Sequence, residues 1–281
     1  MPTLPPGSSP RPDHAIHRQR QVAESFGADA ERYDRARPRY PQALVDRITA
    51  AAPGPDVLDV GCGTGIVARQ LEAAGCRVLG VDADPRMAEL ARRRGLETEV
   101  APFETWDPAG RTFDAVVAGQ TWHWVDPEAG AATAARTLRP GGLLALFWNA
   151  GRPLAGMAES FAGVCERVAP GSLAARQWAG SAVDGYGTLC DRAADGIRGT
   201  GAFAGPERWR FDWEHTYTRD EWLDQLPTQG AFTRFPPAEL DEVLAGIGSV
   251  IDAAGGSFVM GYATVAVAAV RTGGAAATDR P

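Results

Sequence analysis

The chain has 281 residues, 44% of them hydrophobic and 22% charged, and its formal net charge is −7. This composition can bury one substantial core, so we expect one main domain. The acidic balance and the lack of any tract rich in Lys and Arg argue against nucleic acid as a partner. The four cysteines are widely spaced without a C-x-x-C pair, which predicts a protein of the reducing cytoplasm with neither a metal site nor a disulfide framework.

The two ends of the chain look unlike a folded domain. Five prolines lie among Gly, Ser and Arg in the first twelve residues, with no apolar run that could form the core of a signal peptide. We predict a disordered tail at 1–20, a single domain at 21–272 and a frayed tail at 273–281. The stretch from Phe258 to Val270 is shorter than the roughly 20 residues of a membrane-spanning helix, so we read it as a buried strand and expect no membrane contact.

Short apolar runs alternate with helical patterns from residue 55 to 149. The runs occupy 57–60, 77–81, 113–118 and 143–148, and this alternation is typical of a parallel sheet covered by helices. Asp84 and Asp126, each followed by Pro, are start signals for helices, because Asp caps the first turn and Pro fits inside it. Pro140 and the glycines after it end the second of these helices before the fourth run.

The pattern changes after residue 150. Apolar residues recur at helical spacing from Leu154 to Val168, whereas the Gly-rich stretch from about 171 to 206 has no clear period and reads as an insertion or a lid. Residues 209–217 alternate aromatic and polar side chains, which predicts a strand with one buried face and places His215 in the core. A helix at 240–251 and a last strand at 257–271 follow. The expected fold is α/β: a Rossmann-like, doubly wound, seven-stranded, mostly parallel sheet with one antiparallel strand near the C-terminal edge.

Three glycines at alternate positions, Gly61, Gly63 and Gly65, follow the first strand directly, and Asp59 stands two residues before them. Glycine in such a loop lets a ligand approach the backbone. A second acid, Asp82, ends the next strand, at about the separation at which a nucleotide-binding βαβ unit places a carboxylate on ribose hydroxyls. One unit of the chain therefore positions two contacts to a ligand.

Two classes of cofactor compete for this loop. The dinucleotide fingerprint G-x-G-x-x-G requires glycine at the position of Ile66, and here the third glycine falls one residue early. Asp59 would repel a pyrophosphate but attract an ammonium and a sulfonium. The loop thus favours S-adenosylmethionine over NAD, and an NAD-dependent oxidoreductase remains the alternative.

Residues 55–149 resemble a class I S-adenosylmethionine-dependent methyltransferase. The resemblance rests on the motif at 59–65, on Asp82, on the segment 113–117 and on the Leu-Arg-Pro-Gly-Gly segment at 138–142. Residues 26–41, and the Gln-x-x-His-Trp element at 120–124, are similar to small-molecule methyltransferases related to trans-aconitate methyltransferase. The resemblance implies transfer of a methyl group to an oxygen, nitrogen or carboxylate acceptor on a small molecule, and we expect a monomer or a homodimer.

The resemblance also implies roles for individual residues. Asp59 and the backbone of Gly61, Gly63 and Gly65 would hold the methionine part of the cofactor, and Asp82 the ribose. The adenine would lie against Ala83 and near Phe103 and Glu104, although Pro102 stands where the family commonly has an acid. Gln120 would face the sulfonium, and Tyr33 and Arg37 would close over the cofactor.

The resemblance further divides the predicted domain. It implies an N-terminal lid with helices at 21–54 and a cofactor-binding core at 55–149. A helical substrate-cover insertion at 150–206 and C-terminal strands and helices at 207–272 complete the expected division.

Two chemistries of the acceptor are open from the sequence. A hydroxyl or a protonated amine needs a base, and His123 is interpreted as that catalytic base because it lies beside the predicted site. A carboxylate needs no base, and a cation such as Arg37 or Arg152 would hold it. A protein that binds S-adenosylmethionine without catalysis is a further alternative, because binding motifs do not establish turnover.

Overall fold

The computed structural model describes residues 26–154, 156–178, 182–233 and 235–273. The predicted tail at 1–20 lies outside these ranges, and so do residues 21–25 of the predicted domain and all of the predicted tail at 273–281 except Gly273.

A central sheet organises the described chain. Its strands are β1 (Asp56–Val60), β2 (Arg77–Asp82), β3 (Glu97–Val100), β4 (Phe113–Gly119), β5 (Leu138–Pro153), β6 (Glu207–Thr218) and β7 (Ser257–Val270). They form a seven-stranded sheet in the order β3-β2-β1-β4-β5-β7-β6. Neighbours from β3 to β5 pair in parallel, whereas β7 pairs antiparallel with both β5 and β6. The predicted fold class is therefore confirmed, including its one antiparallel strand near the C-terminal edge.

Helices connect the strands. Within the described ranges they are α1 (Ala30–Ala36), α2 (Gln42–Ala51), α3 (Ile66–Ala73), α4 (Pro85–Arg93), α5 (Pro127–Thr137), α6 (Met157–Val168), α7 (Leu173–Gln177), α8 (Ala182–Gly199), α9 (Arg219–Gln225) and α10 (Pro237–Ala253). The two predicted start signals are confirmed: the Asp84 side chain accepts the N–H of Arg86, and that of Asp126 accepts the N–H groups of Glu128 and Ala129.

The sheet has an apolar core on each face. Along β5, Leu144 and Leu146 pack in a cluster that includes residues of α5 and α8, whereas Leu143 and Ala145 pack in a cluster with α2 and α3. This alternation follows from the period of two along a strand. A third cluster joins α6, α7, α9 and α10 to the ends of β6 and β7, and it supports the region beyond the carboxyl ends of the parallel strands.

The stretch without clear period contains the 18-residue helix α8. Its glycines weaken the helical pattern in the sequence, yet one of them has a packing reason. A Cβ on Gly196 would lie 2.5 Å from the carbonyl oxygen of Pro127, so glycine lets α8 approach the start of α5 closely. Tertiary packing stabilises this helix where intrinsic propensity does not.

One prediction at a sheet edge is wrong, and the strand at the opposite edge was not located from the sequence. The prediction that His215 lies in the core is wrong: it is exposed, because β6 is an edge strand whose aromatic face is only partly covered. The short edge strand β3 carries Glu97 and Glu99, so its sequence contains no apolar run from which a strand could be predicted. Across the described ranges, no helix combines the length and apolarity needed to cross a membrane.

Candidate functional site

A cavity of about 1040 Å³ opens at the carboxyl ends of the parallel strands. The strand order reverses there, between β1 and β4, and such a reversal leaves a crevice in which α/β proteins bind ligands. Sites for one small molecule usually enclose roughly 300–1,000 Å³. This cavity is therefore large enough for two ligands side by side.

The turn after β1 is shaped by close packing. The N–H groups of Gly61 and Cys62 both donate to the carbonyl of Val81, at 2.7 and 3.2 Å, which ties the turn to β2. Gly61 has a φ of 61°, and a Cβ there would lie 2.0 Å from the methyl carbon of Thr121, so only glycine fits. Gly63 has nothing within 4 Å of an added Cβ among the described residues, and it lines the cavity. Its backbone is therefore open to a ligand.

Asp59 is a buried acid without a partner. It is 1% exposed, and neither carboxylate oxygen has a hydrogen-bond partner among the described residues. Burial, together with the nearby charge of Asp82, raises the pKa of Asp59 to about 8. Asp59 lines a small annex of about 60 Å³ beside the glycine turn, with Arg37 and Asn149 also on its wall. A cationic group of a ligand would lower the pKa of Asp59 again and stabilise the charged carboxylate.

Asp82 ends β2 and is held by backbone donors. Its Oδ2 accepts the N–H of Gly63 at 2.7 Å, and its Oδ1 accepts the N–H of Asp84 at 2.8 Å. Burial raises its pKa to about 6. Asp84, by contrast, caps α4 and pairs with Arg86 at 2.7 Å. Asp82 thus presents a fixed carboxylate to the cavity, while Asp84 is occupied by local structure.

The cavity wall next to Asp82 is largely apolar. The ring of Phe103 is 4% exposed and packs against Trp106 and Trp122, with centroids at 6.3 and 6.1 Å. Glu104 Oε1 accepts the N–H of Asp126 at 3.1 Å, so this carboxylate is tied to the start of α5. Residues of this wall that line the cavity are Ala83, Met87, Ala101, Pro102, Phe103 and Glu104.

Gln120 follows β4 in an unusual backbone conformation. Its φ is 56°, a conformation that residues with a Cβ rarely adopt. The free-energy cost of this conformation must be offset by favourable contacts with the surrounding residues. Its N–H donates to the carbonyl of Phe147 at 2.9 Å, and its side-chain amide donates to the carbonyl of Asn149 at 3.2 Å. Strand β5 thus holds Gln120 in place on the cavity wall.

His123 lies in the short helical turn Trp122–Trp124 and lines the cavity. The indole N–H of Trp148 donates to His123 Nδ1 at 3.2 Å. Burial lowers the pKa of His123 to about 4, so the ring is neutral near pH 7. Because Nδ1 accepts a hydrogen bond, the single proton of the neutral ring is assigned to Nε2. The side chain therefore offers an N–H donor.

Residues 26–41, here called the N-terminal strap, cross the cavity. Phe26, Tyr33, Arg37 and Pro38 of the strap line it. The strap is bound on one side by the ion pair between Asp34 and Arg69 of α3, at 2.6 Å. Further ion pairs join α1 to α9 on the other side. The strap therefore bridges the parallel core and the C-terminal half of the chain.

The wall opposite the glycine turn comes from the second half of the chain. Tyr217 and Tyr262, on β6 and β7, share a hydrogen bond between hydroxyl oxygens 2.8 Å apart, and the Tyr262 ring stacks on Trp213 at 4.3 Å. Residues of this wall that line the cavity include Trp178, Tyr186, Trp222, Gln225, Met260 and Tyr262. This half of the cavity, here called the aromatic wall, combines aromatic rings with polar side chains, among them Arg176, Gln177 and Glu239.

The structure brings most of the predicted site residues to one cavity. Those that line it are Tyr33, Arg37, Gly61, Gly63, Asp82, Ala83, Phe103, Glu104, Gln120 and His123, and Asp59 lines the annex beside it. Gly65 lines neither: it has a φ of 85° and stands at the N-cap of α3, where it supports the turn. Arg152 lies off the cavity wall and pairs with Glu159 at 3.2 Å. The residues of the aromatic wall were not predicted from the sequence, because they carry no local motif.

The segment that holds the glycine turn is similar in sequence to known methyltransferases. Residues 58–146 match the model of a family described as "Methyltransferase domain". An uncharacterized methyltransferase of Mycobacterium tuberculosis is 40% identical over 134 residues, which are 47% of this chain and 54% of that protein. The chain therefore matches about half the length of this relative.

Solved structures extend the likeness beyond the core. A putative type II methyltransferase from Anaeromyxobacter dehalogenans is 28% identical with a TM-score of 0.59, covering 83% of this chain and 97% of that one. Residues 58–146 are thus similar to a methyltransferase domain, and the likeness in fold to a solved methyltransferase extends over most of the chain. Phosphoethanolamine N-methyltransferase 2 of Haemonchus contortus, solved with S-adenosyl-L-methionine, shares the fold of this domain at 18% identity and a TM-score of 0.50, covering 96% of this chain and 62% of that one.

Proposed function

We propose that this protein transfers a methyl group from S-adenosylmethionine to a small-molecule acceptor. One observation carries the proposal: a fully buried carboxylate, Asp59, lacks any partner among the described residues and stands directly before a glycine turn whose backbone is open to a large cavity. A ligand with an ammonium group next to a nucleoside satisfies this arrangement. S-adenosylmethionine is such a ligand.

The cofactor fits the charges of the site. Asp59 would bind the ammonium of the cofactor's methionine part. This ion pair would compensate the unfavourable burial of a lone carboxylate. Gly61 and Gly63 would let the methionine part lie against the backbone. Asp82, fixed by the N–H groups of Gly63 and Asp84, would accept hydrogen bonds from the ribose hydroxyls. Ala83, Phe103 and Glu104 would flank the adenine.

The protein's part in the reaction is to align the acceptor with the methyl group and to exclude water. When bound, the cofactor supplies a carbon already activated by its sulfonium, so the chain chiefly needs to hold the acceptor in line and exclude water. Gln120 stands between the glycine turn and the aromatic wall, and the strap residues Tyr33 and Arg37 cover the cavity. These positions support the proposed roles of all three residues.

The volume of the cavity, about 1040 Å³, supports a small molecule as the acceptor. The similarity of residues 26–41 and 120–124 to methyltransferases related to trans-aconitate methyltransferase supports the same class of acceptor. The cytoplasmic location, the monomeric or homodimeric state and the division of the domain at 54, 149 and 206 stay predictions from the sequence.

Calorimetric titration with S-adenosylmethionine and S-adenosylhomocysteine tests the proposal. We expect binding in the micromolar range by the wild type and at least a tenfold loss in Asp59→Asn and Asp82→Asn, each variant losing about one charged contact of 1.5–3 kcal/mol. Asp195→Asn is the matched control, because Asp195 is an exposed carboxylate on α8 that pairs with Arg198. A folded wild type that binds neither compound contradicts the proposal.

A further inference from the structure

Strand β6 leaves one edge of the sheet open. It pairs with β7 along its whole length, from Glu207 to Thr218, without a break in register. Among the described residues no strand lies on its other side. The unpaired N–H and C=O groups of such an edge can pair with a further strand, which proteins usually prevent with prolines, bulges or charges. Because β6 contains no proline and its pairing with β7 has no bulge, its charges determine whether it repels or accepts a second strand.

The charges of β6 change sign at Phe211. Arg208 and Arg210 stand before it, and Asp212 and Glu214 stand after it. All four residues are exposed, and they share one face of the strand because side chains alternate along it. Each acid stands as many residues after Phe211 as one of the arginines stands before it. The pattern therefore attracts a copy of itself in antiparallel orientation, whereas charges of one sign would repel it.

The charged face of β6 lies beyond the cover of α8. Arg208 and Arg210 lie beside Val267 and Val265 of β7, and these two valines pack with α8 in one apolar cluster. That cluster contains no residue of β6. The helix thus covers β7 and leaves the charged side chains of the last strand accessible.

The local partners of these charges are replaceable. Arg210 pairs with Asp212 of its own strand at 2.8 Å, and Arg208 pairs with Asp191 of α8 at 2.6 Å. At least 49% of each of these side chains is exposed. Exposed ion pairs contribute little to stability, because water screens them. The same side chains can therefore turn to opposite charges on a second strand.

One register of two antiparallel β6 strands matches the charges. When a two-fold axis passes through Phe211, Arg210 lies opposite Asp212 of the second copy, and Arg208 lies opposite Glu214 of the second copy. The symmetry makes each of these pairs occur twice. Opposite charges directly across a sheet stabilise the pairing of strands, and like charges destabilise it.

The other registers are unfavourable. An axis through any other residue from Arg208 to Glu214 places two residues of like charge opposite each other, for example two copies of Arg210 or two copies of Asp212. An axis between two residues would bring the charged face of one copy to the aromatic face of the other. The sequence of the strand therefore selects the axis at Phe211.

We propose that β6 is an interface between two copies of this chain. The two strands pair antiparallel about Phe211 and join the two seven-stranded sheets into one continuous sheet. On the aromatic face, Trp209 comes opposite Trp213 of the second copy, and aromatic pairs across strands stabilise a sheet. This interface is independent of the proposed methyl transfer.

A second copy is favoured over an unrelated partner. A two-fold interface presents the same surface from both sides, so a strand whose charges are inverted about one residue complements itself. Assembly stops at two copies, because the other edge strand of the sheet, β3, has four residues and is too short for extended pairing.

Sedimentation velocity with charge-reversed variants tests the proposal. We expect the wild type to dimerise with a dissociation constant of about 10–100 μM, as suits a small interface. Arg210→Asp and Asp212→Arg each place like charges opposite each other, and each should weaken dimerisation at least about tenfold. Glu89→Arg is the matched control and should dimerise as the wild type does. Glu89 is an exposed acid that pairs with Arg92 on α4, and α4 leads into β3 at the other edge of the sheet.

Mixing the two variants tests the register. In a mixed dimer of Arg210→Asp and Asp212→Arg, opposite charges face each other again at both positions. We therefore expect the mixture to form a dimer at concentrations at which each variant alone is a monomer, and circular dichroism confirms that both variants are folded. A chain carrying both substitutions should also dimerise. A mixture that stays monomeric overturns the proposed register and with it the proposal.

Amide hydrogen exchange locates the interface. Over residues 207–215 of the wild type, exchange should slow severalfold between dilute and concentrated protein, whereas in Asp212→Arg it should not. A wild type that stays monomeric at about 500 μM overturns the proposal, and so does a dimer that both single variants keep. Slow exchange of these residues in a monomer also overturns it, because another segment of the same chain then covers β6.

Discussion

Arg32 and Asp224, 192 residues apart in the chain, meet with Arg32 Nε 3.0 Å from Asp224 Oδ1. Arg35 adds two hydrogen bonds to the same carboxylate, at 2.8 and 2.9 Å. One acid on α9 therefore fastens α1, and α1 leads to the strap residues that cover the cavity. We expect a ligand beneath the strap to leave more readily when this attachment or its counterpart at Asp34 opens.

Asp224→Asn is expected to loosen the strap without unfolding the protein. The ion pairs are partly exposed, so their loss costs at most about 1 kcal/mol of folding free energy. The dissociation rate of S-adenosylhomocysteine, measured by stopped-flow fluorescence, should rise severalfold, and amide hydrogen exchange over residues 30–37 should quicken. Asp220→Asn, on the same helix but paired with Arg219, should change neither. An unchanged dissociation rate in Asp224→Asn means that the strap does not gate the cavity.

Asp59→Asn is expected to stabilise the protein without ligand at high pH. The pKa of Asp59 is about 8 in the folded state, above its ordinary 3.8, so the folded state binds more protons than the unfolded state between these values. The free energy of unfolding of the wild type therefore falls as pH rises from about 4 to 8. In urea unfolding at pH 8 the variant should be more stable by about 1–3 kcal/mol, the cost of an unsatisfied buried group. At pH 4 the difference should vanish, and a constant difference would contradict this account.

Gly61→Ala should cost more than Gly75→Ala, although both glycines have positive φ. Gly75 has no described neighbour within 4 Å of an added Cβ, so its substitution carries only backbone strain of about 1–2 kcal/mol. At Gly61 the overlap with Thr121 adds about 1–3 kcal/mol. Urea unfolding measures both costs, and calorimetry should show that only Gly61→Ala loses affinity for S-adenosylhomocysteine. Equal costs would mean that Thr121 moves aside freely.

His123 should be neutral and carry its proton on Nε2 at pH 7. Burial lowers its pKa to about 4, below the ordinary 6.5, so the unfolded state binds more protons between these values and stability falls as pH decreases through them. Nitrogen-15 NMR of labelled histidine should show the Nε2–H tautomer and a midpoint near pH 4. In Trp148→Phe the donor to Nδ1 is gone, and the preference for this tautomer should weaken. A midpoint above pH 6 in the wild type would contradict this account and would favour His123 as the catalytic base.

The part of the site that residue spacing alone predicts is built from neighbouring residues, whereas Tyr33, Arg37, Gln120 and His123 were expected from the resemblance. Asp59, the glycine turn and Asp82 lie within one βαβ unit, so their spacing in the chain determines their spacing in space. Asp84 was predicted as a helix cap for the same reason, since a cap depends on residues two or three positions away. Gly65 shows the limit of this reasoning. A glycine in such a motif either contacts the ligand or permits the turn, and its spacing in the sequence does not distinguish the two roles.

The aromatic wall could not be predicted, because nothing local marks it. Tyr186, Trp222 and Tyr262 belong to three elements that meet only when α8, α9 and β7 pack against the sheet. The glycines of α8 concealed its helical period, and a close contact between helices explains one of them. The exposure of His215 likewise depends on β6 being an edge strand, which a period of two does not reveal.

The two walls of the cavity therefore come from separate parts of the gene. The wall around the glycine turn is encoded by one continuous stretch, whereas the aromatic wall is encoded by segments that follow it and contribute nothing to that stretch. Substitutions in the later segments can reshape the pocket for a new acceptor and leave the first wall intact. This arrangement makes exchange of the region after β5 the natural way to redirect the protein's specificity.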